Sequence, residues 1–152
     1  MIAPFYHIDA FTGAVFSGNP AGVCFLDFWP EDAILQSVAA ENNLPETAFL
    51  VSKDDGYELR WFSPKVEADL CGHATLASAH AIFEYVRMDA EKVDFYTKSG
   101  RLSVVRDGEL LVLDFPARVP EPCSPPEGIG KILGVDRKST SLNYSHRIRS
   151  RM

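Results

Sequence analysis

The chain has 152 residues, a formal net charge of -6, 46% hydrophobic residues and three cysteines. That length suffices for one domain with its own core, and the acidic balance argues against nucleic acid or an anionic membrane as a partner. Cys24, Cys71 and Cys123 are odd in number and far apart, fitting neither a disulfide framework nor the paired spacing of a zinc site.

Residues 2–10 carry enough apolar residues in alternation for a first strand. Residues 11–22 hold Gly13, Gly18, Asn19, Pro20 and Gly22 and read as a loop, followed by a short strand at 23–26. Pro30, Glu31 and Asp32 open a helix with an apolar face of Ala33, Ile34, Val38 and Ala39, which ends at Asn42-Asn43. Two strands, 46–51 and 57–62, flank the hairpin turn Asp54-Asp55-Gly56. A helix is expected over 72–86. Strands at 93–97, 101–106 and 109–115 then form a meander around Ser99-Gly100 and Asp107-Gly108. Pro116, Pro120, Pro122, Pro125 and Pro126 make 116–126 a linker or extended crossing segment.

The helix is the most informative element. Residues 74–83 read Ala-Thr-Leu-Ala-Ser-Ala-His-Ala-Ile-Phe, without a polar face, so it is expected to be buried on every side. Its first turn displays Gly72, His73 and Thr75. Free N–H groups and the positive dipole end there suit a carboxylate or oxyanion. Antiparallel strands with one apolar helix imply an α+β arrangement in which a curled sheet buries the helix.

The start, Met1-Ile2-Ala3-Pro4-Phe5-Tyr6, lacks the basic segment of a signal peptide, and no apolar run approaches the ~18 residues of a membrane span. A reducing, cytoplasmic setting is expected. Residues 136–152 hold Arg137, Lys138, Arg147, Arg149 and Arg151 against Asp136. This basic, serine-rich stub reads as a foreign or artefactual tail on an acidic domain of residues 1–135.

Three blocks carry a resemblance. They are Phe11-Thr12-Gly13 with Gly18-Asn19-Pro20-Ala21-Gly22-Val23, then Asn43-Leu44-Pro45-Glu46-Thr47-Ala48-Phe49, then Arg60-Trp61-Phe62-Ser63-Pro64 with Glu67 and Leu70-Cys71-Gly72-His73-Ala74-Thr75. In order and spacing these resemble the phenazine-biosynthesis-like (PhzF) isomerase family. The resemblance covers residues 1–135 and implies one lobe of a diaminopimelate-epimerase-like fold, a mostly antiparallel barrel-like sheet wrapped around a central buried helix. It also implies cofactor-independent isomerisation of a small carboxylate-bearing metabolite by proton transfer. Glu46 maps onto the general acid/base, and Asn19, Gly72, His73 and Ala74 onto the substrate-binding turn and the loop facing it. Family members are longer, with a second lobe that supplies the opposite wall of the cleft. This chain alone is therefore expected to be inactive, and a homodimer is left open at full length.

Each candidate has a plainer reading. Glu46 without the motif would be an exposed glutamate at a strand start, whereas desolvation at the mouth of an apolar strand would raise its pKa and suit proton shuttling. His73 and His80 are about 10.5 Å apart along a helix axis and cannot share one metal. No metal and no cofactor are expected, and His80 reads as a satisfied core histidine. For His73 a substrate contact is favoured. Cys71, at a helix N-terminus, would have a lowered pKa and a subordinate claim to catalysis. Asn19 could merely shape an Asx turn before Pro20, and Glu67 and Asp69 read as solvated or capping acids. The competing function is a non-enzymatic interaction module of the same fold.

Overall fold

The computed structural model describes residues 2–14, 16–116, 127–129 and 132, together with the backbone of Arg147–Arg151. The proline-rich linker from 117, Cys123 and most of the basic tail lie outside the described residues. Among the described residues no helix is long and apolar enough to cross a membrane. Contacts divide the chain into a unit of Met1–Phe115 with Arg147–Met152 and a second of Pro116–His146. In the second, Ile132 N–H donates to the Gly128 carbonyl at 3.1 Å.

The first unit contains strands β1 (Phe5–Ala10), β2 (Asn19–Leu26), β3 (Glu46–Lys53), β4 (Gly56–Phe62), β5 (Glu67–Ala68), β6 (Lys92–Thr97), β7 (Gly100–Asp107), β8 (Leu110–Asp114) and β9 (Arg147–Arg151). Helix α1 spans Asp32–Asn42 and α2 spans Gly72–Ala81. One sheet runs β1-β2-β3-β4-β6-β7-β8-β9, with β5 paired to β4. Antiparallel pairing prevails, but β2/β3 and β4/β6 are parallel, so the sheet is mixed. Parallel neighbours need a crossover connection. Helix α1 supplies the first, and β5 with α2 the second. The tight Asp-Gly turns accordingly mark only antiparallel hairpins such as β3/β4.

Strand alternation explains the two cores. On β3, Ala48 and Leu50 join the cluster around α2, while Phe49 joins Cys24, Leu26, Leu35, Ala39 and Phe62 beneath α1. Ala74 to Ala79 of α2 are all buried. The helix touches β1, β2 and β3 and, from the far side of the sheet, β8. Strands so separated in the sheet order reach one helix because the sheet curls into a half-barrel. Trp61, Phe83 and Phe95 are almost wholly buried in this core, each contributing about 1.5–3 kcal/mol on area grounds.

β1 begins at Phe5 rather than at residue 2, and two boundaries shift further from the sequence expectation. β2 begins at Asn19, inside the anticipated loop, because Pro20 sits near a strand start where a missing N–H is tolerated and pairs with Asp9. The helix expected over 72–86 runs regularly only to Ala81, and Ile82–Val86 form a wide π-type turn. There Arg87 N–H donates to the Ile82 carbonyl at 2.6 Å, while Arg106 Nη2 donates to the Phe83 carbonyl at 2.8 Å.

Candidate active site

Asn43 closes α1 in the left-handed region, with φ 51° and ψ 32° and its N–H bonded to the Ala39 carbonyl. Pro45 disfavours a helical conformation at Leu44, and Glu46 is the first residue of β3, beside Ala21 of β2. Residues paired across strands share a face, and Ala21 and Ala48 both face α2. Glu46 is thus turned to the α2 side at the end of the sheet. Its Oε2 is buried and has no hydrogen-bond partner among the described residues. Burial pushes the carboxyl pKa up. A partly buried carboxyl whose Oε2 has no donor among the described residues favours its protonated form, as a general acid/base near neutrality requires.

The start of α2 lies against this group. Cys71 is extended, at φ −142° and ψ 114°, and precedes the first helical residue. Its carbonyl accepts from Thr75 N at 3.3 Å and from Thr75 Oγ1 at 2.6 Å. Thr75 is therefore fully buried and stitches the first turn, rather than being displayed from it as the sequence suggested. Gly72, His73 and Ala74 hold the N–H groups that precede the first intrahelical bond. Ala74 is wholly buried, so only its main chain is available to a ligand.

His73 Nδ1 lies 3.3 Å from Cys71 Sγ. Nε2 is buried without a hydrogen-bond partner among the described residues. Burial lowers the ring pKa, opposed by the Pro20 carbonyl. The ring is thus neutral at physiological pH. The Cys71 thiol is pushed up to about 12, chiefly by burial and further by the nearby Glu46 charge, against N–H contacts from Ala74 and His73. This overturns the expected lowering at a helix N-terminus: desolvation outweighs the dipole, and Cys71 is a neutral thiol.

Glu46, Cys71, His73 and the main chain of Pro20 are therefore brought together, with Gly72 and Ala74 in the same turn. Asn19 opens β2 two residues before Ala21 and so shares the face turned to α2. The role of the Pro20 carbonyl carried no sequence signal, because it is a main-chain group.

Other expected features fall elsewhere. Glu67 is neither solvated nor a cap: Oε1 accepts from Arg60 Nε at 2.7 Å and Oε2 from Arg60 Nη2 at 3.0 Å and from Lys98. Arg60, first, and Lys98 hold its carboxyl below the ordinary glutamate range. Asp69 is exposed. His80 is half-buried rather than a core residue, and lines shallow grooves of about 360 and 270 Å³ that also share Gly13. Among the described residues no group of three or more His, Cys, Asp or Glu side chains is arranged to hold a metal.

A sequence model described as phenazine biosynthesis-like protein matches residues 8–127. An uncharacterised isomerase of Pseudomonas aeruginosa is 52% identical over 130 residues, covering 86% of this chain and 50% of that protein. The mouse phenazine biosynthesis-like domain-containing protein 2 is 41% identical over 124 residues, covering 76% of this chain and 43% of that protein. Among solved structures, a PhzF-family protein of Enterococcus faecalis superposes with a TM-score of 0.81 at 46% identity, covering 88% of this chain and 52% of the other. A hydroxyproline epimerase from Agrobacterium vitis shares the fold at TM-score 0.51 and 13% identity. The chain spans about half the length of the curated relatives it matches.

Proposed function

Because this chain belongs to the phenazine biosynthesis-like protein family, we propose that it is one diaminopimelate-epimerase-like lobe of a cofactor-independent isomerase acting on a small carboxylate-bearing metabolite. Glu46 removes a proton from a substrate carbon and returns it, or its equivalent, at another position. The N–H groups of Gly72, His73 and Ala74 and the neutral His73 ring hold the oxygen on which negative charge develops, and Asn19 flanks the substrate. Donors already fixed at the start of a buried helix need no reorganisation when that charge appears.

The observation that carries this reading is the buried Oε2 of Glu46, without a hydrogen-bond partner among the described residues. A stable fold gains nothing from a desolvated carboxyl without a donor, and an interaction module of the same fold would not need one. A second lobe, implied by the length of the relatives, would close the cleft and exclude water, so the isolated chain is proposed to be inactive.

The test uses a full-length relative carrying the same Glu46 block. Replacing that glutamate by glutamine is expected to preserve folding and ligand binding and to abolish incorporation of solvent deuterium into substrate. Undiminished incorporation would remove the assignment.

A further inference from the structure

We propose that Cys71 is a positioning residue that fixes the tautomer of His73, its thiol donating to Nδ1 so that Nε2 carries the proton offered to substrate. This rests on the reading of His73 as a substrate contact. A neutral imidazole has one N–H and one acceptor nitrogen, and the partner of one nitrogen decides which is which. Sγ and Nδ1 are 3.3 Å apart, within reach of a sulfur hydrogen bond. A buried thiol that stays protonated carries a hydrogen that needs an acceptor. Nδ1 lies within reach of that hydrogen and accepts it.

The consequence falls on Nε2, which then bears the proton while buried and with no partner at hydrogen-bond distance among the described residues; the Pro20 carbonyl near the ring also favours a ring proton. An N–H there attracts an anionic oxygen; a lone pair would repel it. The thiol is well anchored for this task. Cys71 is 8% exposed, and its carbonyl is gripped by both the N–H and the hydroxyl of Thr75. Burial keeps the thiol protonated and the ring neutral, so both groups hold these forms across the physiological range.

The experiment is long-range proton–nitrogen NMR on the 152-residue chain with ¹⁵N-labelled histidine at pH 8. The His73 signals are identified by their loss in His73→Gln. In the unsubstituted chain Nδ1 is expected at the unprotonated and Nε2 at the protonated end of the nitrogen shift range. Cys71→Ala should draw the two shifts toward each other as the tautomers mix. Cys71→Ser, which keeps a donor at the same place, should restore the original pattern.

A proton on Nδ1 in the unsubstituted chain overturns the proposal. So does a Cys71→Ala chain with native amide signals and an unchanged His73 pattern. Should Cys71→Ala fail to fold, the unsubstituted and Cys71→Ser spectra decide alone. No substrate is involved, so failure of Glu46 as the base, read by deuterium exchange, is distinguishable from failure of the tautomer assignment.

Discussion

Arg106 Nη2 donates to the Phe83 carbonyl at 2.8 Å, the carbonyl that Arg87 N–H would bond in a continuing α-helix. Arg87 N–H reaches Ile82 instead, and the guanidinium also stacks on the Phe83 ring, 4.9 Å from its centre. A strand residue thus ends the central helix from across the fold. Arg106→Ala should cost about 1.5–3 kcal/mol, the range for a hydrogen bond from a charged donor. Glu84→Gln, which removes only an exposed partner 3.1 Å away, should cost under about 1 kcal/mol. Urea unfolding of the two variants checks the ratio, and equal losses would show that the salt bridge dominates.

Gly56 opens β4 where the parallel strand β6 comes closest. A Cβ there would run into the Asp94 main-chain carbonyl, whereas one on Gly108 would meet open space. Gly108 has φ +62°, so its replacement costs only left-handed backbone strain, about 1–2 kcal/mol. Gly56→Ala must displace backbone and loosen the β4/β6 pairing, so it should cost more than Gly108→Ala, about 3 kcal/mol or above. Thermal unfolding of both single variants decides the order.

Burial alone would raise the Asp94 carboxyl, but Arg101, Ser103 and Lys92 outweigh it and hold the group at about 2. Its folded pKa lies below the unfolded value of about 3.9. The stability it contributes is therefore present above pH 4 and lost as pH falls toward 2. Asp94→Asn should be destabilised by about 1–3 kcal/mol at pH 7, with the gap narrowing through that window. Denaturant midpoints from pH 7 to pH 2 measure it; a gap constant with pH would mean that the charge contributes nothing.

Cys71, at about 12, should be nearly inert in the folded chain. At pH 8 the thiolate fraction is on the order of 10⁻⁴, against tens of per cent for a free thiol. Alkylation by iodoacetamide, followed at Cys71 by peptide mass spectrometry, should be at least about 10³-fold slower than in urea. Rapid labelling of the folded chain would restore the reading of an activated thiol.

The hairpins were legible because their signals are local: Asp54-Asp55-Gly56 and Asp107-Gly108 lie in the turns they create. The burial of α2 followed from its composition for the same reason. What could not be read was set by residues distant in sequence. The β4/β6 junction depends on Gly56 meeting Asp94, and the π-type turn on Arg106 meeting Phe83. Glu46 and His73 were marked by their motif blocks, and the fold places both at the mouth of the α2 cluster. The thiol was misjudged because the helix dipole is visible in a sequence, whereas the desolvation that outweighs it appears only once the chain is packed.

Glu46 carries a stability consequence that its proposed role predicts. Burial raises its folded pKa above the unfolded value of about 4.3. Below that value the group is neutral in both states and imposes no charge penalty. As pH rises through the folded pKa, the folded chain must hold a desolvated carboxylate, and stability is lost relative to a permanently neutral side chain. Glu46→Gln should therefore be more stable than the unsubstituted chain at pH 7, by about 1 kcal/mol, as when a strained site residue is relieved. The advantage should fade below pH 4. Paired thermal melts at pH 7 and pH 3.5 measure both. If glutamine destabilised the chain at pH 7, the Glu46 carboxylate would have to be satisfied in the fold, and its role as a poised base would fall with that result.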